Sequence, residues 1–217
     1  MDPIFTKEEQ DALSAAVASA EKKTSGEIVP FVVRRSAPHR AAYYRGITWA
    51  VFAMMLVILL LSQFYAGWDL GWVFTPAGTI GSLVSVAVLA ALAVRFIPPV
   101  GRWCTGTGAL TEAVASRSTQ AFLDEEVFLT RERTGILIFV SLFERRVHVI
   151  GDSGINSKVR AEDWGDVVAD ILEGIKENKM SEGLILAIER CGRLLESHGV
   201  EIRDDDSNEL SDGVRTG

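Results

Sequence analysis

Cysteine is scarce in this chain, with two in 217 residues, Cys104 and Cys191. Two thiols build no disulfide framework and fit a reducing compartment. Histidine is equally thin: His39, His148 and His198 stand apart, without metal-ligand spacing. Basic charge is short as well. The 22 Lys and Arg are outnumbered by 29 Asp and Glu, for a net charge of −7. That balance excludes nucleic acid as a partner, because phosphate binding needs a basic face. No Lys follows the glycines of Gly101 to Gly108, so this stretch is no phosphate-cradling P-loop. It reads as a flexible loop. Internal repeats are absent.

Charge is missing altogether from two long stretches. Gly46 to Trp68 carries none, Asp69 interrupts, and Leu70 to Val94 again carries none. A bilayer core of roughly 30 Å needs about 20 apolar residues in a helix, and both stretches supply that length. Helices of soluble domains keep a polar stripe, which these lack. They are expected to form a transmembrane hairpin, with spans at 46–66 and 76–97. Arg34, Arg35, Arg40 and Arg45 precede the first span, and Arg95 and Arg102 end the second; Ser62 to Pro76 holds no Lys or Arg. Basic residues at span ends favour the cytoplasm, so both flanks are expected inside. Tyr43, Tyr44, Trp49, Trp68, Trp72 and Trp103 fall at span boundaries, where aromatic anchors sit. A signal peptide fits poorly, since the apolar run starts far from Met1.

The remainder is polar enough for one soluble domain of ordinary size. Thr6-Lys-Glu-Glu9 reads as a capping box, and Leu13, Ala16, Val17 and Ala20 continue at helical spacing. The helix is expected to stop near Thr24-Ser-Gly26. Glu27 to Val33 follows as a strand, edge-like at Pro30, which has no N–H to donate. Ser36 to Arg45 should begin the first membrane helix. Beyond the hairpin, Val114, Ala121, Phe122 and Leu129 predict a helix over Thr111 to Arg133. Gly135 to Leu142 is a continuous apolar run, as in a strand buried on both faces. A turn at Phe143-Glu-Arg145 returns it as Arg146 to Gly151. Trp164, Val167, Val168, Ile171, Leu172 and Ile175 mark the next helix. A last helix is expected to be capped by Ser181 and ended by Gly199.

One helix and one strand cannot make a core alone. The first piece, residues 1–36, must therefore join a second, 101–203, across an inserted hairpin, 37–100. The expected fold class is α/β: a small mixed sheet sandwiched by helices, with an inserted two-helix transmembrane hairpin. Residues 204–217 are an acidic tail expected to be disordered.

Thr24-Ser-Gly-Glu-Ile28, and Arg131 to Ile155 with its sequence of Gly, apolar strand, Glu-Arg turn, second strand and Gly-containing loop, resemble the TPM domain family. The family is named after a thylakoid lumen phosphatase, a photosystem II repair protein and a modulator of nicotinic receptors. The interrupted domain is similar to a bacterial membrane branch, which implies a two-pass protein of the bacterial plasma (inner) membrane. Family members often carry Gly-Tyr-Gly-Leu-Glu after the second strand; here the residues are Gly151-Asp-Ser-Gly-Ile-Asn156. Some members bind Ca²⁺ or Mg²⁺ near the sheet end, and the resemblance makes Asp152 the candidate metal ligand. Read from the residues alone, Asp152 and Ser153 stabilise a turn, since a hard cation wants roughly six oxygens.

The other candidates have ordinary readings. Gly151-Asp-Ser-Gly154 matches the surroundings of a serine-protease nucleophile but lacks a protease context for any histidine. Asp124, Glu125 and Glu126 read as a solvated acidic face, and His148 as a half-buried strand residue. Gly78, Gly81 and Ser82 would let membrane helices approach closely. No residue is assigned a catalytic role. Two functions remain: a membrane-tethered interaction or regulatory module whose partner is another membrane protein, and a metal-dependent phosphatase-like hydrolase. The sequence leaves the oligomeric state open.

Overall fold

The structure, a computed structural model, describes residues 3–64, 71–200, 202 and 208–217. In chain order its elements are α1 (Lys7–Glu21), β1 (Glu27–Val33), α2 (Arg40–Phe64), α3 (Pro76–Phe96), α4 (Pro98–Thr105), α5 (Thr107–Asp124), β2 (Gly135–Ser141), β3 (Arg146–Gly151), α6 (Ser153–Asn156), α7 (Gly165–Glu177), α8 (Met180–Ser197) and β4 (Arg215–Thr216). The chain divides into two compact units, residues 1–37 with 111–217, and residues 38–110.

The first unit is an α/β sandwich on a four-stranded mixed sheet of order β3-β2-β1-β4. β1 pairs β2 in parallel, from Glu27 opposite Gly135 to Val33 opposite Ser141. β2 and β3 form the expected antiparallel hairpin, from Ile136 opposite Gly151 to Ser141 opposite Arg146. Alternation along the strands divides the core in two. Ile28, Val32, Ile136, Ile138 and Val140 pack with Leu13 and Val17 of α1, Ile171 of α7 and Leu184 and Ile188 of α8. Val29, Phe31, Val33, Leu137 and Phe139 pack on the opposite face with Val114 and Ala121 of α5. β2 is buried along its whole length, which is why it reads as an uninterrupted apolar run. The α1 capping box forms: Glu9 N–H donates to Thr6 Oγ1 at 3.2 Å, and Thr6 N–H to Glu9 Oε2 at 2.8 Å.

Pro30 lies in an interior strand, yet its missing N–H costs no ladder bond. Ile28 N–H donates to Glu21 Oε1, and Val32 O accepts from Gly217 N–H. Residues 28, 30 and 32 therefore face the β4 side, and β4 pairs only at Phe31 and Val32.

β4 corrects the reading of the tail. Residues 208–217 are ordered onto the sheet, because Glu27 accepts the N–H groups of Glu209 and Leu210 at 3.1 and 3.3 Å. The acidic run at 204–207 lies outside the described residues. α5 ends at Asp124 rather than at Arg133; Glu126 and Arg133 turn the chain with φ of 54° and 58°. α8 starts at Met180 with Lys179 at its cap, so Ser181 is no cap. Its hydroxyl instead donates to Glu9 Oε1 at 2.8 Å, joining α8 to α1.

In the second unit, Arg40–Gln63 and Pro76–Phe96 are long and apolar enough to cross a membrane. Their apolar windows are 6% and 11% buried, unlike core helices of a soluble protein. Tyr44, Trp49, Trp72 and Trp103 are exposed; Trp68 and Asp69 lie outside the described residues. The expected loop at Gly101 to Gly108 is instead the end of α4 and the start of α5, parted by Gly106 at a φ of 81°. Pro at the first turn starts α4, and Arg45 Nη1 donates to Thr105 O at 2.7 Å at its far end. Gly46 is where the helices close up: a Cβ there would meet Val94 Cγ2 at 2.7 Å and Cys104 Sγ at 3.3 Å. Gly81 faces open space, and Gly78 packs under the Trp72 carbonyl; neither brings α2 and α3 together.

Candidate functional site

Two stretches singled out by sequence, Thr24 to Ile28 and Gly151 to Asn156, lie at the same end of the sheet, where β1 and β2 begin. At the start of β1, Thr24 Oγ1 donates to Val200 O at 2.7 Å, and Thr134 Oγ1 donates to Ser25 O at 2.8 Å. The Gly26 Cβ position lies 2.7 Å from Leu195 Cδ1. Gly26 is thus a point of close approach to α8, not the stop of α1, which ends at Glu21. Thr24 to Ile28 ties β1 to the end of α8, the start of β2 and the tail.

Beside this motif is a cavity of about 250 Å³ lined by Glu21, Lys22, Thr24, Glu27, Asn208 and Asp212 among others. Burial pushes the Glu21 carboxyl up to about 8. The Ile28 N–H opposes that rise, the charges of Glu27 and Asp212 add to it, and Arg215 opposes it. Sequence reading passed over Glu21. Its signal was an acid in the last turn of α1, where the helix dipole disfavours negative charge.

At the start of β2, Asp152 caps α6: Ser153 N–H donates to its Oδ1 at 2.6 Å. Its Oδ2 lies 2.8 Å from Arg133 Nε, and the side chain is 7% exposed. Among the described residues, no group of three or more His, Cys, Asp or Glu side chains could hold a metal ion. The donor set around Asp152, one carboxylate already facing an arginine and an amide, does not fit a hard cation. Ser153 begins a helix, and the Gly154 Cβ position lies 2.4 Å from Glu132 O. The tetrapeptide is a packed strand-to-helix turn.

A serine and a histidine do meet elsewhere. Ser118 Oγ on α5 and His148 Nδ1 on β3 are 2.6 Å apart, a pair separated by thirty residues that no local pattern announces. Ser118 is fully buried, so the pair fixes α5 to the sheet and leaves no exposed nucleophile. Burial lowers the His148 pKa, favouring the neutral ring. The acidic cluster disperses: Glu125 Oε2 pairs with Arg215 Nε at 3.1 Å, and Asp124 lies 3.8 Å from Arg117. Cys191 is buried among apolar side chains, which pushes its thiol pKa up and makes it a poor nucleophile.

A three-layer sheet with a parallel pair, an antiparallel hairpin and a capped turn after it is a specific arrangement. Residues 108–194 match the TPM domain. The TPM match runs from α5 into α8 and leaves out α1 and β1, which the structure adds to the same sheet. No curated protein matches the chain. The NMR structure of the BA42 protein from the psychrophilic bacterium Bizionia argentinensis is similar, with a TM-score of 0.59 at 19% identity, covering 100% of this chain and 98% of that one. At that identity the likeness shows the fold.

Proposed function

We propose that the chain is a membrane-tethered interaction module: a TPM domain held in the cytoplasm by a two-pass anchor in a bacterial plasma membrane. The observation that carries this is the position of the two apolar helices. They leave the domain after β1 and return before β2, the strand that pairs with β1. An anchor inside a folded unit confines that unit beside the bilayer and raises its effective concentration toward other membrane proteins. The arginines flanking the helices support the cytoplasmic side, and the polar groups of the candidate sites are engaged in holding the domain together.

The test is in-cell crosslinking of the full chain. Reproducible capture of one membrane protein, lost when the 38–110 anchor is exchanged for an unrelated hairpin or when the domain is unfolded by mutation, supports the reading. A C-terminal reporter active only outside the cytoplasm would reverse the orientation. The phosphatase-like alternative follows from the TPM match alone. Full chain in detergent that hydrolyses a phosphomonoester with Ca²⁺ or Mg²⁺, and loses this with Asp152→Ala, would put it first.

A further inference from the structure

β3 is an outer strand of the sheet, and its backbone alternation is fixed by its last bond. Asp152 N–H donates to Gly135 O at 2.9 Å. In an antiparallel pair this aims residues 146, 148 and 150 at β2, and Val147 and Val149 outward. Among the described residues, the outward N–H and C=O groups of Val147 and Val149 meet no strand. An exposed edge of this kind is a template for another strand.

The edge lies at the bottom of a groove. A cavity of about 250 Å³ runs beside it, walled by Val114 and Ala115 of α5 on one side and Val168 and Leu172 of α7 on the other. The Ser118–His148 contact holds α5 against the strand. Arg145 and Arg146 line the same groove, and no carboxylate lines it among the described residues. The rest of the chain is net acidic, so this basic, apolar-walled edge is chemically distinct. A strand laid here would point alternate side chains at the α7 wall and at the α5 wall.

We infer that the β3 edge takes up an extended acidic segment of a partner protein as a fifth strand, with apolar side chains against α7 and carboxylates toward Arg145 and Arg146. Main-chain bonds to Val147 and Val149 supply affinity, and the arginines and the apolar wall supply selectivity. The inference rests on the interaction-module reading and names the chemistry of the partner. A second copy of the chain is disfavoured, since its own β3, Arg146–Gly151, carries no carboxylate to meet Arg145 and Arg146.

The test uses the full chain in neutral detergent micelles. The probe is an acetylated, amidated six-residue peptide alternating Glu and Val, compared with a Lys–Val peptide. The expected result is hydrogen exchange slowed about tenfold at the Val147 and Val149 amides by the Glu–Val peptide alone. Binding should fall about tenfold or more in the Arg145→Glu/Arg146→Glu variant. It should also be lost in Val149→Pro, which removes one outward N–H and leaves the β2–β3 ladder intact. Equal binding of the Lys–Val peptide, protection that maps away from β3, or protection without peptide that grows with protein concentration (a second copy) would each overturn the inference. If crosslinking finds a partner that contacts another face, the edge assignment falls and the module reading stands. If crosslinking finds none while the peptide result holds, the module reading falls instead.

Discussion

The Glu144 carboxylate, in the turn between β2 and β3, accepts the backbone N–H of Ser36 at 3.2 and 3.3 Å. It also accepts the Ser141 hydroxyl, and Ser36 Oγ donates to Ser141 Oγ at 2.9 Å. Arg35 stacks over the Phe143 ring at 3.7 Å. The point where the chain leaves β1 toward α2 is thereby fastened to a turn formed 108 residues later. Glu144 is buried, at 3% exposure. Glu144→Ala should destabilise the domain by about 2–3 kcal/mol, and Glu144→Gln, which keeps an acceptor, by about 1 kcal/mol. Urea denaturation of the full chain in detergent reads both.

Two glycines are fixed by close approach. A Cβ at Gly135 would stand 1.9 Å from Val127 O, and one at Gly154 2.4 Å from Glu132 O. Backbone cannot yield as a side chain can, so Gly135→Ala and Gly154→Ala should each cost about 3 kcal/mol or more. Gly108, within α5, meets nothing within 4 Å. Gly108→Ala should stabilise its helix by about 0.5–1 kcal/mol, and thermal melts separate the two classes.

Asp152→Ala should cost about 1–2 kcal/mol through loss of the α6 cap and of the Arg133 contact. Asp152→Asn should cost less, because the amide oxygen still caps. Both penalties should be unchanged by millimolar Ca²⁺ or Mg²⁺ in the melting buffer. A melting temperature that rises with either ion in the parent chain, and not in Asp152→Ala, would restore the metal-ligand role.

Glu21 makes stability pH-dependent. Its carboxyl ordinarily titrates near 4.5 and is raised to about 8 in the fold. Below pH 4.5 both states hold the proton and the group contributes no difference. Between 4.5 and 8 the folded form keeps a proton that the unfolded chain has lost. Stability therefore falls as pH rises through that window and carries the full penalty above it. Glu21→Gln retains the acceptor for Ile28 N–H, so it should be more stable than the parent at pH 8 and should flatten this part of the profile.

Patterns that local chemistry enforces could be read from the residues. The Thr6–Glu9 box, the apolar β2 run and the α7 stripe depend on near neighbours and appear where expected. What escaped depends on distant partners. β4 is two residues long and exists because Glu27 receives the tail amides. The glycine-rich stretch from Gly101 resembles a loop in composition, but prolines at 98 and 99 occupy a first helical turn and Arg45 donates to the last carbonyls of α4. Ser118 and His148 meet only once α5 covers the sheet. Asp152 was legible as a turn residue, while its arginine partner stands across the strand ends and carries no sequence mark.

The parallel register of Glu27 with Gly135 sets a schedule. During translation the opening helix and strand emerge well before the strand they must lie against. At roughly 5–20 residues per second that interval is on the order of ten seconds, and the two apolar helices are synthesised within it. Until then the buried face of β1 has no sheet to join, so newborn chains stalled before residue 135 should be the species that chaperones and proteases see.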